Sequence, residues 1–253
     1  MENKVEFKVY GKYALFTDPL TKIGGEKCSY QIPTYQALKG IMESVYWKPT
    51  LIWIIDKVRV MKPIRTQTKS AKPLNYGGVY PSARDRRGKG EPINTLSIYN
   101  YLVDVEYQIQ AHFEWNLNRR DLIKDCNENK HFFVAKRMIE RGGRRDIFLG
   151  TRECQGYVEP CHFGEGNGFY DRYGELTFDL MFHGFDYPDE YGKNELHARF
   201  SRPEMINGVV NFKRPEECEI RKFVKPMSAK PPVSIGLEEE ELLDGYTTEE
   251  VDL

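Results

Sequence analysis

The chain lacks paired cysteines. Its five, Cys28, Cys126, Cys154, Cys161 and Cys218, are scattered, odd in number and without CxxC spacing, which argues against a disulfide scaffold and for a reducing, cytoplasmic setting. Long apolar runs are missing too. The longest, Leu51 to Ile55, is strand-sized against the ~20 residues of a membrane span, so no membrane partner is expected. Behind Met1 stand Glu2, Asn3 and Lys4 rather than an apolar h-region, so no signal peptide is expected. Zinc-ligand types occur at Cys126, His131, Cys154, Cys161 and His162, but without the short spacing of a zinc knuckle, and neither metal nor other cofactor is expected. The RNA-stacking consensus of RRM strands is absent, as is a Gly-Lys-Ser/Thr following the glycines at Gly142.

What the chain has is segregated charge. The net value is −1, yet from Pro226 onward eight acids face Lys230 alone, leaving +6 on the other 225 residues. Between Lys57 and Gly90 ten Lys and Arg face only Asp85. A basic body with an acidic end suits a polyanion partner. The plain alternative is a set of solvated faces beside a disordered tail.

Periodicity gives the elements. Val5 to Tyr10 alternates as a first strand, and a helix follows Pro33-Thr34 with Ala37, Leu38, Ile41, Met42 and Val45 on one stripe. Pro49 stops it, putting Tyr46 and Trp47 near its C-terminal end. Leu51 to Met61 reads as a strand, and Val103 to Trp115 as a half-buried antiparallel one. A helix is expected from about Glu128 to Arg141, and Ile147 to Val158 as a returning strand. This β-α-β-β-α-β order predicts an α+β fold, a ferredoxin-like or RRM-like domain over residues 1–160 with a basic insertion at about 62–98. Residues 161–225 read as a small antiparallel β domain, with Leu176–Phe182 and Gly208–Phe212 among its strands. Residues 226–253 read as a disordered acidic tail.

One stretch carries chemistry. Lys130-His131 is followed, after one helix, by Gly142-Gly143-Arg144-Arg145 and then Arg152. Glycines let the backbone turn its N–H groups toward a ligand, arginines match phosphate oxygens, and an imidazole trades protons near neutral pH. The combination suggests work on a phosphodiester. Arg84, Arg86, Arg87 and Lys89 offer further phosphate contacts, and Tyr76, Tyr80 and Tyr99 either stack on bases or anchor a hairpin. The plain reading of His131 is a polar residue at a helix start; that of His112 is a solvated sheet face. His183 and His197 have no comparable context.

The residues Tyr13 to Pro19, Pro33 to Gly40, Tyr46-Trp47-Lys48-Pro49-Thr50, Lys130-His131 and the Gly142 to Cys154 block together resemble the Cas-five family of CRISPR-associated proteins, subtype I-C, of the RAMP superfamily. The resemblance implies an RRM-like domain with a glycine-rich loop and a C-terminal β domain. It implies a metal-independent endoribonuclease that cuts CRISPR repeat RNA at the base of its hairpin. The enzyme then stays on the crRNA 5′ handle among the backbone and large subunits of a Cascade complex. The family's catalytic tyrosine, lysine and histidine fall on Tyr46, Lys130 and His131. A non-catalytic RNA-binding subunit of the same fold is the rival.

Overall fold

The computed structural model describes residues 3–19, 26–72 and 96–229. Strand β1 (Lys4–Ala14) leads to a two-residue β2 (Lys27–Cys28), helix α1 (Tyr35–Val45) and β3 (Leu51–Val60). β4 (Thr66–Ala71) pairs antiparallel with the first third of β5 (Ser97–Trp115). After α2 (Glu128–Glu140) come β6 (Ile147–Phe148) and β7 (Gln155–Pro160). The rest supplies β8 (Glu175–Thr177), β9 (Met181–Asp186), one-turn α3 (Pro188–Tyr191), β10 (Glu195–Ser201), β11 (Glu204–Ile206), β12 (Val209–Asn211) and β13 (Ile220–Pro226).

The main sheet runs β6-β7-β1-β5-β3-β12-β11-β8, with β2 and β4 also on β5; a second sheet is β13-β10-β9. The alternation of β5 explains its central place. Val105, Tyr107, Ile109, Ala111 and Phe113 all point inward, and the register sets Phe7 against Ile109 and Val9 against Tyr107. Deleting a fully buried ring such as Phe7 costs about 3–5 kcal/mol.

Helix α1 begins where Thr34 caps it, its hydroxyl accepting from the Ala37 N–H at 3.2 Å. It buries Leu38, Ile41, Met42 and Val45 against the sheet. Gly40 interrupts the helix on another face, with nothing within 4 Å of where a Cβ would stand. A mid-helix glycine costs about 0.5–1 kcal/mol relative to alanine, and packing does not require this one.

Two expectations need correction. Ile147–Val158 is not one strand but the β6–β7 hairpin. A Cβ on Gly150 (φ +94°) would fall 2.0 Å from the Leu15 carbonyl oxygen, so the chain must turn there through glycine. The strands in 176–177 and 209–211 do not build the second sheet. They extend the first one, because Val209 to Asn211 finds the open edge of β3. Within the 62–98 insertion, Thr66–Ala71 is strand. Its core, 73–95, lies outside the described residues, as do 230–253; Pro226 still belongs to β13.

Candidate active site

Tyr46 closes α1. Its backbone N–H donates to the Met42 carbonyl at 2.9 Å, and its own carbonyl accepts from the Trp53 indole at 2.8 Å. Held at both ends of its peptide, it extends its phenol to the start of α2. That helix is capped by Asn127, whose side chain accepts from the Lys130 N–H at 3.1 Å. His131 is the fourth helical residue and has no exposed surface.

The phenol oxygen of Tyr46 lies 2.7 Å from His131 Nδ1, and Nε2 lies 2.7 Å from the Asp125 carbonyl oxygen. A carbonyl only accepts, so Nε2 carries the proton. In the neutral ring Nδ1 is then the acceptor, and Tyr46 donates to it. Burial keeps the ring neutral by holding His131 below the usual histidine pKa, even though the Asp125 carbonyl and carboxylate favour the cation. Burial, followed by the Asp125 charge, likewise lifts the Tyr46 phenol above its usual range, while the Arg144 charge works against the rise.

Asp125 organises the rest. One carboxylate oxygen accepts from Lys130 Nζ at 2.9 Å, and the other from the Thr50 hydroxyl at 2.8 Å while standing 3.4 Å from His131 Nε2. Burial alone would raise its pKa; the bonds from Lys130 and Thr50 outweigh that and hold it below the usual carboxylate value. Sequence reading missed both Asp125 and Thr50. The only cue was an acid two residues before a helix cap, which looks like any surface acid. Lys130, with its side chain 43% exposed, is the member of the group that faces solvent.

The glycine loop has a different use from the one its sequence suggests. Gly142 (φ +82°) and Gly143 (φ +109°) donate their N–H groups to Ile139 and Met138, a Schellman closure of α2. The Arg144 and Arg145 N–H groups donate to the carbonyls of Val45 and Ser44, at 3.2 and 3.1 Å, and so dock the loop on the end of α1. All four backbone donors therefore face the protein and only the side chains are directed elsewhere. Arg144 and Arg145 line two neighbouring depressions. One, about 620 Å³, continues along β7 past Gly156 and Tyr157. The other, about 190 Å³, is formed with Gly40, Glu43, Ser44 and Trp47. Burial pushes the Glu43 carboxyl up to about 7. The loop and His131 sit at opposite ends of α2, about 15 Å apart by helical rise.

The structure thus brings Tyr46, Lys130 and His131 together, with Gly142, Gly143, Arg144 and Arg145 at the far end of the same helix. Arg152 is exposed in the β6–β7 turn, outside the lining of both depressions. Arg84, Arg86, Arg87, Lys89, Tyr76 and Tyr80 lie outside the described residues. Tyr99 is buried, edge-on to Tyr101 and under Lys27, so it is an anchor and not a free stacking face. Arg59, counted among the basic residues, is buried and bound by Asp171. Among the described residues no three His, Cys, Asp or Glu side chains converge as a metal site, and no helix is long and apolar enough to cross a membrane.

A family model described as CRISPR-associated protein (Cas_Cas5) matches residues 5–213, and the chain belongs to that family. It is 31% identical over 232 residues to the CRISPR pre-crRNA endoribonuclease Cas5d of Mannheimia succiniciproducens, covering 83% of this chain and 95% of the relative. It is 26% identical over 227 residues to the protein of the same name from Thermus thermophilus, covering 88% and 85%. Among solved structures, a CRISPR-associated protein superposes with TM-score 0.68 at 35% identity, covering 87% of this chain and 97% of that one. A functionally uncharacterized protein from Streptococcus mutans does so with TM-score 0.66 at 36% identity, with the same coverage. The mixed α/β architecture, mostly antiparallel with few helices, is therefore that of solved relatives.

Proposed function

We propose that the chain is a metal-independent endoribonuclease that cleaves CRISPR repeat RNA at the base of its hairpin. It then stays on the crRNA 5′ handle as a subunit of a type I-C Cascade complex. The names of its relatives support the substrate. The strand order β7-β1-β5-β3, the fourth, first, third and second strands of a β-α-β-β-α-β unit, supports a ferredoxin-like first domain. The observation that carries the chemistry is the 2.7 Å bond between the Tyr46 phenol and His131 Nδ1.

Cleavage without a metal needs a base for the ribose 2′-OH, an acid for the departing 5′-oxygen and positive charge near the phosphorane. Fully buried, His131 acts through Tyr46, itself 4% exposed, so the scissile ribose must be brought onto the phenol for the step to proceed. The phenol takes the 2′-OH proton while passing its own to Nδ1, and the imidazolium so formed faces the Asp125 carboxylate. The 2′-oxygen bonds to phosphorus, the bond to the 5′-oxygen breaks, and Lys130 supplies charge or a proton to the leaving group. The products are a 2′,3′-cyclic phosphate and a 5′-OH. Arg144, Arg145 and Arg152, with Gly142 and Gly143 shaping the loop and Arg84, Arg86, Arg87 and Lys89 in the insertion, hold the RNA backbone. Purified protein should cut a labelled repeat hairpin in EDTA; a 3′-OH product, or dependence on added metal, would refute the mechanism. The burial of His131 also fits a non-catalytic RNA-binding subunit, which would bind the hairpin and leave it intact.

A further inference from the structure

The smaller depression has features that the cleavage chemistry does not use. Gly40, Glu43, Ser44 and Trp47 fall at i, i+3, i+4 and i+7 on one stripe running down α1 and off its end, facing Arg144 and Arg145 across about 190 Å³. That is less than the 300–1,000 Å³ of pockets for drug-sized ligands, and is the scale of one flat heterocycle. Trp47 is 44% exposed, whereas Trp53 is wholly buried. Lys39 stands 3.8 Å from Glu43 and makes its close bond with Glu190 instead. The Glu43 carboxylate thus keeps a long ion pair with Lys39 but makes no hydrogen bond among the described residues. The floor is Gly40, where α1 gives up helix stability to leave space that no residue of the described chain fills.

We propose that this pocket is a nucleobase subsite in which one unpaired guanine of the bound RNA stacks on Trp47, gives its N–H edge to Glu43 and lays its phosphate on Arg144 and Arg145. The inference rests on the RNA-binding part of the reading above. Guanine presents two adjacent donors that match the two oxygens of a carboxylate. The other bases place an acceptor at the same edge. The Glu43 side chain is 30% exposed, with Lys39 no nearer than 3.8 Å, so its carboxylate can take such a partner. Tryptophan and arginine are the side chains on which splayed bases stack.

The test measures binding of a labelled repeat hairpin in which each nucleotide flanking the cleavage point is made abasic in turn. At one position the abasic change should weaken wild-type binding by about 5–150-fold and leave Trp47→Ala unaffected. Guanine-to-adenine at that position should penalise wild type but not Glu43→Gln. Gly40→Leu should reproduce the Trp47→Ala loss without lowering the melting temperature, and Trp47→Phe should restore most of the affinity. If Trp47→Ala and Gly40→Leu bind all the RNAs as wild type does, or lose equally at every position, the subsite does not exist. Because the readout is binding, wild-type protein that grips the hairpin without cutting it would remove the nuclease assignment and leave this test intact.

Discussion

Two histidines lie buried in this fold, and their surroundings make them different instruments. His131 has a partner on each nitrogen, one of them the phenol of Tyr46, which is itself 4% exposed. His183 is 2% exposed and stacks on Tyr35 at 4.2 Å; its Nε2 reaches the Lys213 carbonyl at 2.9 Å, and its Nδ1 has no partner. Burial first, and then the Arg199 charge, bring its pKa down to about 4. A buried imidazole becomes a relay when its free lone pair meets a transferable proton. Otherwise it is a flat polar ring that joins α1 to the second sheet.

The largest expected effect separates the two sites by activity. Tyr46→Phe or His131→Ala should slow single-turnover cleavage by roughly 10²–10⁴-fold, the size of a general acid–base contribution, with little change in hairpin affinity. His183→Gln should cut at nearly the wild-type rate. Equal losses at both histidines would mean that the comparison measures folding and not catalysis.

Stability sharpens the contrast. Unfolded His183 takes up a proton near pH 6.5, whereas folded His183 does so only near about 4. Stability is therefore intact above pH 6.5 and falls as the pH drops toward 4, because the unfolded chain binds the extra proton. The full loss is about 3 kcal/mol. Denaturant melts across that range should show the slope, and His183→Gln should flatten it. The depressed pKa of His131 adds a slope of the same sign.

Smaller effects belong to the surface. Replacing Arg144 and Arg145 by alanine should weaken binding and reduce the slope of log K against log salt by about 0.7–0.9 per lost phosphate contact. Isotherms at several salt concentrations would show it, and an unchanged slope would assign these side chains to the protein alone. Deleting 230–253, which carries a net −7, should leave the melting temperature in place and tighten RNA binding by a few-fold at most at low salt; a large drop in melting temperature would mean that the segment docks.

Elements with a strong local period were legible in the sequence. The stripe of α1, the alternation of β5 and the glycine stop after α2 all appear where the pattern puts them. Edge pairing was not, because short strands such as Val209–Asn211 carry no record of which sheet they will join. Of the site, Lys130 and His131 were visible as neighbours and Tyr46 by resemblance. Asp125 and Thr50 were hidden, since their meaning arises only when β3 and the start of α2 meet. The glycine loop was visible, but its direction was not. Donors that close a helix and donors that cradle a phosphate share the same residues, and only the partners tell them apart.

That loop has an electrostatic consequence. The C-terminal ends of α1 and α2 converge beneath Arg144 and Arg145, and each helix end acts as roughly half a negative charge. The two guanidiniums therefore overlie ground that the backbone itself makes hostile to RNA. Arg141 adds a third guanidinium to the same depression, so the positive side chains gathered here offset a backbone field that would by itself oppose an approaching anion.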